Sequence, residues 1–282
     1  MSLLSERMID DLQLHGFSAS TQDVYVRAVR QLCQHVHHGP DKVTEDELRR
    51  YFLYLTNEKK SSRSTTTVAI CGIKFFYEHT LRRDWPTLRL ARPAPEYKLP
   101  VVLSREEVRR VLAEVRKPIY RVCLTTIYSC GLRLMEGAQL RVADVDSARM
   151  VLTIHGKGNR DRFVALPEPT LRMLREFWRT HRSPEWLFPA PGLELPVGPI
   201  TGRSLQRAFY RAWEKTGIAK RAHVHSLRHS YATHLMEAGV HLRLIQDTLG
   251  HRSPKTTAVY THLTSQVRDT LTRPLDELMK DL

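Results

Sequence analysis

Between residues 223 and 262 the chain reads HVHSLRHSYATHLMEAGVHLRLIQDTLGHRSPKTTAVYTH, a file of histidines and arginines that leads to one tyrosine, Tyr260. A tyrosine hydroxyl, with a pKa of about 10, is a poor nucleophile at neutral pH unless a base takes its proton and cations stabilise the charge that develops. His225, Arg228 and His251 are of the types that supply both. Attack by such an oxygen on a phosphodiester loads negative charge onto the phosphoryl oxygens, and the fork of one arginine matches two of them. A metal ion could do the same, but the stretch lacks the cluster of Asp and Glu that would hold Mg²⁺, so the cations would have to be side chains.

These groups need a scaffold. Leu227, Tyr231 and Leu235 recur at steps of four, which predicts a helix with one apolar stripe that stops at Gly239. His225 and Arg228, three apart, share a face beside that stripe. A second helix is expected with Leu242, Ile245 and Leu249 on its buried side and Gly250 past its end, so that His251 stands at the exit. Ser253 and Pro254 suit the N-cap and first position of a third helix, with Tyr260 on or just after it.

The segments HxLRH, ATHLMEAGV, IQDTLGH and TTAVYTHL resemble the tyrosine recombinase (phage integrase) family, of the Xer or integron-integrase kind. The family's pattern is His, two residues, Arg, then a second His and a tyrosine nine positions on, the spacing from His251 to Tyr260. Earlier, GLRLMEGAQL holds Arg133 and Glu136 three apart, which alone reads as an ordinary intrahelical ion pair. The resemblance implies that Arg133 is a catalytic arginine and Glu136 a carboxylate that orients the site. Cys130 and Met135 stand where the family more often has Thr and Ser, a matter of local packing. MVLTI and RFVAL flank HGKGNRD, residues 155 to 161, and predict a β-hairpin with Lys157 between two glycines at its tip. A hairpin-tip lysine is ordinarily just solvated. The resemblance implies that Lys157 protonates the departing sugar oxygen, a proton an alkoxide needs. Arg160 and Arg162 are expected to hold DNA phosphates or solvent.

Composition bears on the partner. Lys plus Arg number 44 against 30 Asp plus Glu, a formal charge of +14, which argues for a polyanion and most simply nucleic acid. Cys33, Cys71, Cys123 and Cys130 show no CxxC pairing, so reduced, mostly buried thiols of a cytoplasmic protein are expected. MSLLSERMIDD carries acids early and no long apolar run, so neither a signal peptide nor a membrane span is expected.

Residues 1–92 read as an all-helical domain. Ser20 with Asp23, and Thr44 with Glu47, fit capping-box spacing before VYVRAVRQLCQHV and LRRYFLYL, and TTTVAICGIKFFYEHTL completes a bundle. In KKSSRSTTT, residues 59 to 67, the residues Lys59, Lys60, Arg63, Ser64 and Thr65 stand at a helix start, which could be a solvated loop with an N-cap or a contact to a DNA backbone. The block is similar to the family's four-helix, SAM-like core-binding domain, and that favours DNA. Residues 93–102 are a linker, where Pro93, Pro95 and Pro100 forbid a helix; the resemblance implies that the two domains close round a duplex as a clamp. Residues 103–282 make a mostly helical α+β catalytic domain with a small β-hairpin. It opens with a capping box at Ser104 and Glu107, and Trp178, Phe209 and Trp213 are expected in its core. The fold class is mainly α in two domains.

Two other readings compete. ATHLMEAGVHLRLIQDTLG has the glycine turn and apolar spacing of a helix-turn-helix, as in a regulator that only binds DNA. His225 and His229, four apart, suit zinc, with His223, His234 and His251 near in sequence, but no HExxH or cysteine partner accompanies them. His229, His234 and His262 are expected to be structural or to face DNA. No P-loop is present. The expectation is therefore a recombinase that cleaves and rejoins DNA through a 3'-phosphotyrosine without metal, ATP or other cofactor; a type IB topoisomerase shares the chemistry. The implied partners are double-stranded DNA with inverted half-sites, a second protomer on each site, four protomers in a synapse, and a second recombinase or accessory protein. The tail, residues 264–282 with Leu271, Leu275 and Leu278, would dock on a neighbouring subunit or fold back in cis.

Overall fold

The computed structural model describes residues 3–90, 99–156, 160–190 and 198–250. The expectations for Lys157, His251, Tyr260, His262, the Ser253–Pro254 helix, the tail and most of the linker lie outside the described residues. The chain divides into two compact units, Met1–Tyr97 and Lys98–Leu282.

In the first unit α1 (Leu3–Leu14), α2 (Ala19–Val36), α3 (Glu45–Leu53) and α4 (Arg63–Phe75) pack with the short α5 (Pro86–Leu90). Their apolar faces bury Leu12, Leu32, Leu48, Ile73 and Phe75. The capping box of Thr44 and Glu47 is present. The one proposed at Ser20 and Asp23 is not: Ser18 is the N-cap of α2, so Ser20 lies inside its first turn. Gly16, at φ 72°, ends α1 in a left-handed turn, and the chain reverses at once into α2. α3 and α4 each run on into a single π-helical turn, Tyr54–Glu58 and Phe76–Thr80. The second of these places Tyr77 so that its hydroxyl donates to the Pro40 carbonyl at 2.9 Å.

In the second unit α6 (Arg105–Ala113), α7 (Pro118–Ser129), α9 (Glu168–Arg179) and α10 (Gly202–Thr216) surround a core that includes Leu124, Ile127, Leu205 and Phe209. The capping box at Ser104 and Glu107 is present. A three-stranded antiparallel sheet in the order β1 (Val145–Asp146), β2 (Val151–Gly156), β3 (Arg160–Ala165) packs Leu152, Ile154 and Val164 into the same core. The hairpin strands reach further than the apolar runs suggested, with His155 paired to Asp161 and Gly156 to Arg160. His155 bonds Asp161 at 2.9 Å and Asp144 at 3.2 Å, which lengthens the ladder beyond its apolar part.

α8 (Leu134–Ala138), α11 (Val224–Glu237) and α12 (Leu242–Leu249) complete the unit. α11 is buried on most of its circumference, and even Ser230 is fully enclosed. Its hydroxyl accepts from the Leu103 amide at 2.8 Å and donates to the Ser226 carbonyl at 2.7 Å, so it is satisfied as both acceptor and donor. Phe209 is buried as expected, whereas Trp178 and Trp213 are only half-buried against the core. Of the four free thiols, Cys123 and Cys130 are buried, Cys33 is half-buried and Cys71 is exposed, so the expectation of mostly buried thiols holds for two of the four. Among the described residues no helix is long and apolar enough to cross a membrane.

α2 and α4 approach closely at Gly72, where an added Cβ would stand 2.9 Å from the Tyr25 Cα on α2. Backbone cannot yield as a side-chain tip can, so Gly72→Ala is expected to cost about 1–3 kcal/mol by overpacking. Thermal unfolding should show a lower midpoint for that variant; an unaltered curve would mean that α2 and α4 do not meet this closely.

Candidate active site

The site is built on a carboxylate at the start of a short helix. α7 ends at Gly131, whose φ of 62° and whose missing Cβ, which would fall 2.5 Å from the Tyr231 ring, both require glycine. Two residues on, Arg133 is the N-cap of α8 rather than a member of its exposed face. Its amide donates to Glu136 Oε2 at 2.8 Å and its Nη1 to Oε1 at 2.7 Å. The pair that the sequence shows three apart is thus a helix-start clasp, with Glu136 only 10% exposed.

Arg162 on β3 closes on the same carboxylate with both arms of its fork, Nη1 to Oε1 at 2.9 Å and Nη2 to Oε2 at 2.7 Å. Arg228 Nη1 lies 3.8 Å from Oε2. Burial alone would raise the Glu136 pKa, but the hydrogen bonds from Arg162 and from the Arg133 amide outweigh it and hold the carboxyl at about 2.

The same three arginines take the end of α12. Arg162 Nε donates to the Thr248 carbonyl at 3.0 Å, Arg228 Nη2 to the Leu249 carbonyl at 2.5 Å, and Arg133 Nη2 to the Gly250 carbonyl at 3.3 Å. Carbonyls at a helix C-terminus lack intrahelical partners and carry the negative end of the dipole, so cations are favoured there. Arg228 also donates to the Gly131 carbonyl at 2.7 Å, which ties the α7 turn to the α12 end. Gly250 takes the left-handed cap position expected for it, at φ 63°, and hands the chain on towards His251 and Tyr260.

The arginines differ in access. The side chain of Arg228 is 4% exposed and that of Arg162 13%, while that of Arg133 is 40% exposed. Arg133 therefore offers an open guanidinium beside two enclosed ones. His225, the second residue of α11, is exposed on part of its surface; burial of the rest, then the charges of Arg228, His223 and Arg133, lower its pKa and favour a neutral ring at pH 7. A neutral imidazole next to guanidinium groups can accept a proton. His229, further along α11, is pushed down to about 4 by burial and by its neighbours His225, His223 and Arg228. His234 is structural, its Nδ1 bonded to the Tyr128 hydroxyl at 2.9 Å.

Arg133, Glu136 and Arg228 thus come together from α8 and α11, and the charges of Arg228, Arg133 and Glu136 act on His225. Arg162 corrects its expectation: its guanidinium is engaged by Glu136 and Thr248 instead of facing solvent or DNA. Strand alternation carried the signal, because Arg162 pairs across from Ile154, 2% exposed, and stands two residues before Val164, 0% exposed. Arg160 lies on β3 by its backbone. In the other unit, Lys59, Lys60, Ser64 and Thr65 are exposed and Arg63 half-buried at the start of α4. Ser62 is the N-cap there, its Oγ accepting from the Thr65 amide at 3.3 Å.

The pKa of Glu136 sets a pH dependence. A carboxyl whose folded pKa is lowered from 4.5 to about 2 stabilises the fold fully above 4.5 and loses that contribution as pH falls towards about 2. Glu136→Gln breaks a buried cluster and is expected to cost on the order of 3 kcal/mol at pH 7. Chemical denaturation at a series of pH values should show the gap between wild type and variant narrowing below 4.5; a constant gap would mean that the charge of Glu136 is not what the arginines use.

Comparison with known proteins bears on this arrangement. Residues 101–266 match the Phage integrase family and residues 4–87 match the phage integrase N-terminal SAM-like domain. A putative integrase/recombinase of Sinorhizobium fredii is 41% identical over 262 residues, which cover 92% of this chain and 84% of that one. Tyrosine recombinase XerC of Halalkalibacterium halodurans is 32% identical over 238 residues, 78% of each chain. The solved structure of a lambda integrase tetramer bound to a Holliday junction shares the fold, with a TM-score of 0.74 over 91% of this chain and 76% of that one at 14% identity. With a buried carboxylate gathering three arginines inside the matched region, and both domains accounted for, the chain belongs to the phage integrase family of tyrosine recombinases and is a site-specific DNA recombinase.

Proposed function

We propose that this recombinase cuts and rejoins DNA strands through a 3'-phosphotyrosyl intermediate on Tyr260, with side chains in place of metal ions and with no ATP. The observation that carries the reading is the cluster of Arg133, Arg228 and Arg162 round Glu136 at the end of α12, one residue before His251. Such a cluster offers fixed positive charge where a phosphoryl group would gain negative charge. The open guanidinium of Arg133 takes the non-bridging oxygens, and Arg228 and His251 support it.

In the cleavage step the Tyr260 oxygen bonds to the scissile phosphorus and the bond from phosphorus to the 5'-oxygen breaks. His225, neutral at pH 7, accepts the tyrosine proton. Lys157 at the hairpin tip gives its proton to the departing 5'-oxygen. The phosphodiester energy is kept in the tyrosyl ester, so a 5'-hydroxyl from a partner strand can reverse the step and restore the tyrosine. Arg160 holds backbone phosphate beside the hairpin.

On DNA, two protomers occupy inverted half-sites and four form the synapse, an organisation in keeping with the tetrameric lambda integrase neighbour. Lys59, Lys60, Arg63, Ser64 and Thr65 at the α4 N-terminus contact the DNA backbone, since exposed amines, hydroxyls and a helix start suit phosphate. The protein acts beside the chromosome, in the nucleoid of a prokaryotic cytoplasm, with a second recombinase or accessory protein joining at some sites.

Two measurements test this. Denaturing capture of DNA covalently bound to the protein, followed by sequencing of the captured ends, should give adducts piled at inverted-repeat sites for wild type and none for Tyr260→Phe. Adducts that persist in the variant would assign the nucleophile elsewhere, and ends scattered over the genome would favour relaxation without strand exchange. Replacing Lys59 and Lys60 together by alanine should weaken binding to every sequence alike and reduce the slope of log affinity against log salt by about 2, one for each lost phosphate contact. An unaltered slope would leave those lysines in solvent.

A further inference from the structure

The chemistry above gives Arg162 no contact of its own with the phosphate, yet all three of its guanidinium nitrogens are engaged, two on Glu136 and one on the Thr248 carbonyl. We propose that Arg162 is a positioning residue for strand cleavage, one that clamps Glu136 and the C-terminal end of α12 together; this rests on the cleavage chemistry proposed above.

The geometry supports it from three sides. Both carboxylate oxygens of Glu136 receive the Arg162 fork, at 2.9 and 2.7 Å. The third nitrogen, Nε, reaches the Thr248 carbonyl at 3.0 Å, so one rigid planar group joins β3, α8 and α12. The stem also lies on Gly250, where an added Cβ would stand 3.0 Å from Arg162 Cδ and 3.3 Å from Nε. Gly250 is the residue from which the chain departs towards His251 and Tyr260, so this contact fixes the point of departure.

A second consequence concerns Arg133. With Arg162 on both oxygens of Glu136, Arg133 spends only Nη1 on the carboxylate and keeps Nη2 for the Gly250 carbonyl, its fork left partly open. Without Arg162 the carboxylate would have one full fork to recruit, and Arg133 is the nearest donor. The open guanidinium would then be drawn down onto Glu136 and away from the phosphate. A direct phosphate contact by Arg162 fits the structure poorly, because its side chain is 13% exposed and each of its three nitrogens already donates.

The test uses the full chain and a site recovered by covalent capture. Arg162→Met keeps the stem and removes the fork; Arg162→Lys keeps the charge without the fork. Single-turnover adduct formation at saturating DNA should slow by at least about tenfold in Arg162→Met, the effect of losing roughly one charge-assisted contact's worth of stabilisation. Affinity for the site and its salt slope should stay within about twofold of wild type, and Arg162→Lys should recover little of the rate. Adding Arg162→Met to Glu136→Gln should slow the reaction far less than it does alone, because the two act through one bond.

Hydrogen exchange should quicken at the amides of 246–250 and not across α7. Weaker binding with a shallower salt slope and a normal rate at saturation would overturn the proposal in favour of a phosphate contact. Rate losses that multiply in the double variant, or exchange raised throughout the unit, would overturn it in favour of general support of the fold. A wild type that forms no adduct at any site would instead remove the cleavage chemistry on which the proposal stands, a result distinct from wild-type cleavage that is indifferent to Arg162.

Discussion

A buried carboxylate held by guanidinium groups is the constraint round which the catalytic unit is arranged. Glu136 is nearly enclosed, and an isolated anion there would carry a desolvation penalty of several kcal/mol. Arg133 and Arg162 donate to it directly, and Arg228 stands close behind. Arg228 is itself almost fully buried and would be as costly alone, so its guanidinium is satisfied by the Gly131 and Leu249 carbonyls. Each charge makes the next one tolerable, which is why the cluster draws on an α7 turn, a helix start, a strand and a helix end at once.

The backbone conformations follow from that cluster. Gly131 must turn left-handed and bring its carbonyl to Arg228 while leaving room for Tyr231. Gly250 must end α12 so that three successive carbonyls point at three arginines. A helix C-terminus is ordinarily a poor neighbour for an anionic substrate. Here its negative end is covered by cations before any substrate arrives, and the surplus positive charge of the cluster stays on the side of Arg133, the most exposed of the three.

The histidines of α11 respond to the same field. Burial, and after it charged neighbours, depress the pKa of His225 and His229, so this face of the helix keeps neutral imidazoles beside permanent positive charge. Imidazoles and guanidinium groups share a small volume at lower cost when the imidazoles are neutral, and burial, aided by the neighbouring charges, keeps them so. His234, on the other side of the helix, spends its ring on Tyr128 and serves packing.

Much was legible in the residues themselves, because helix periodicity, capping chemistry and residue type are local. The α11 and α12 boundaries, Gly239 and Gly250 as stops, the Thr44 and Ser104 capping boxes, the hairpin, and the grouping of His225 with Arg228 all depend on neighbours a few positions apart. The misplaced start of α2 came from two nearby serines, of which Ser18 is the N-cap. What only the tertiary structure decided was long-range pairing. The spacing of Arg133 and Glu136 by itself read as an ordinary intrahelical ion pair and gave no sign that Arg162 closes over them, and Arg162 read as a solvent or phosphate residue although its strand alternation pointed inward. Arg162 lies 26 positions from Glu136 and 86 from Thr248 along the chain, and Arg133 lies 117 from Gly250. A hydrogen bond acts through space and leaves no trace in the spacing of residues so far apart, so the sequence by itself determined which elements form and which groups could react, and packing alone determined which arginine stays open and which two are enclosed.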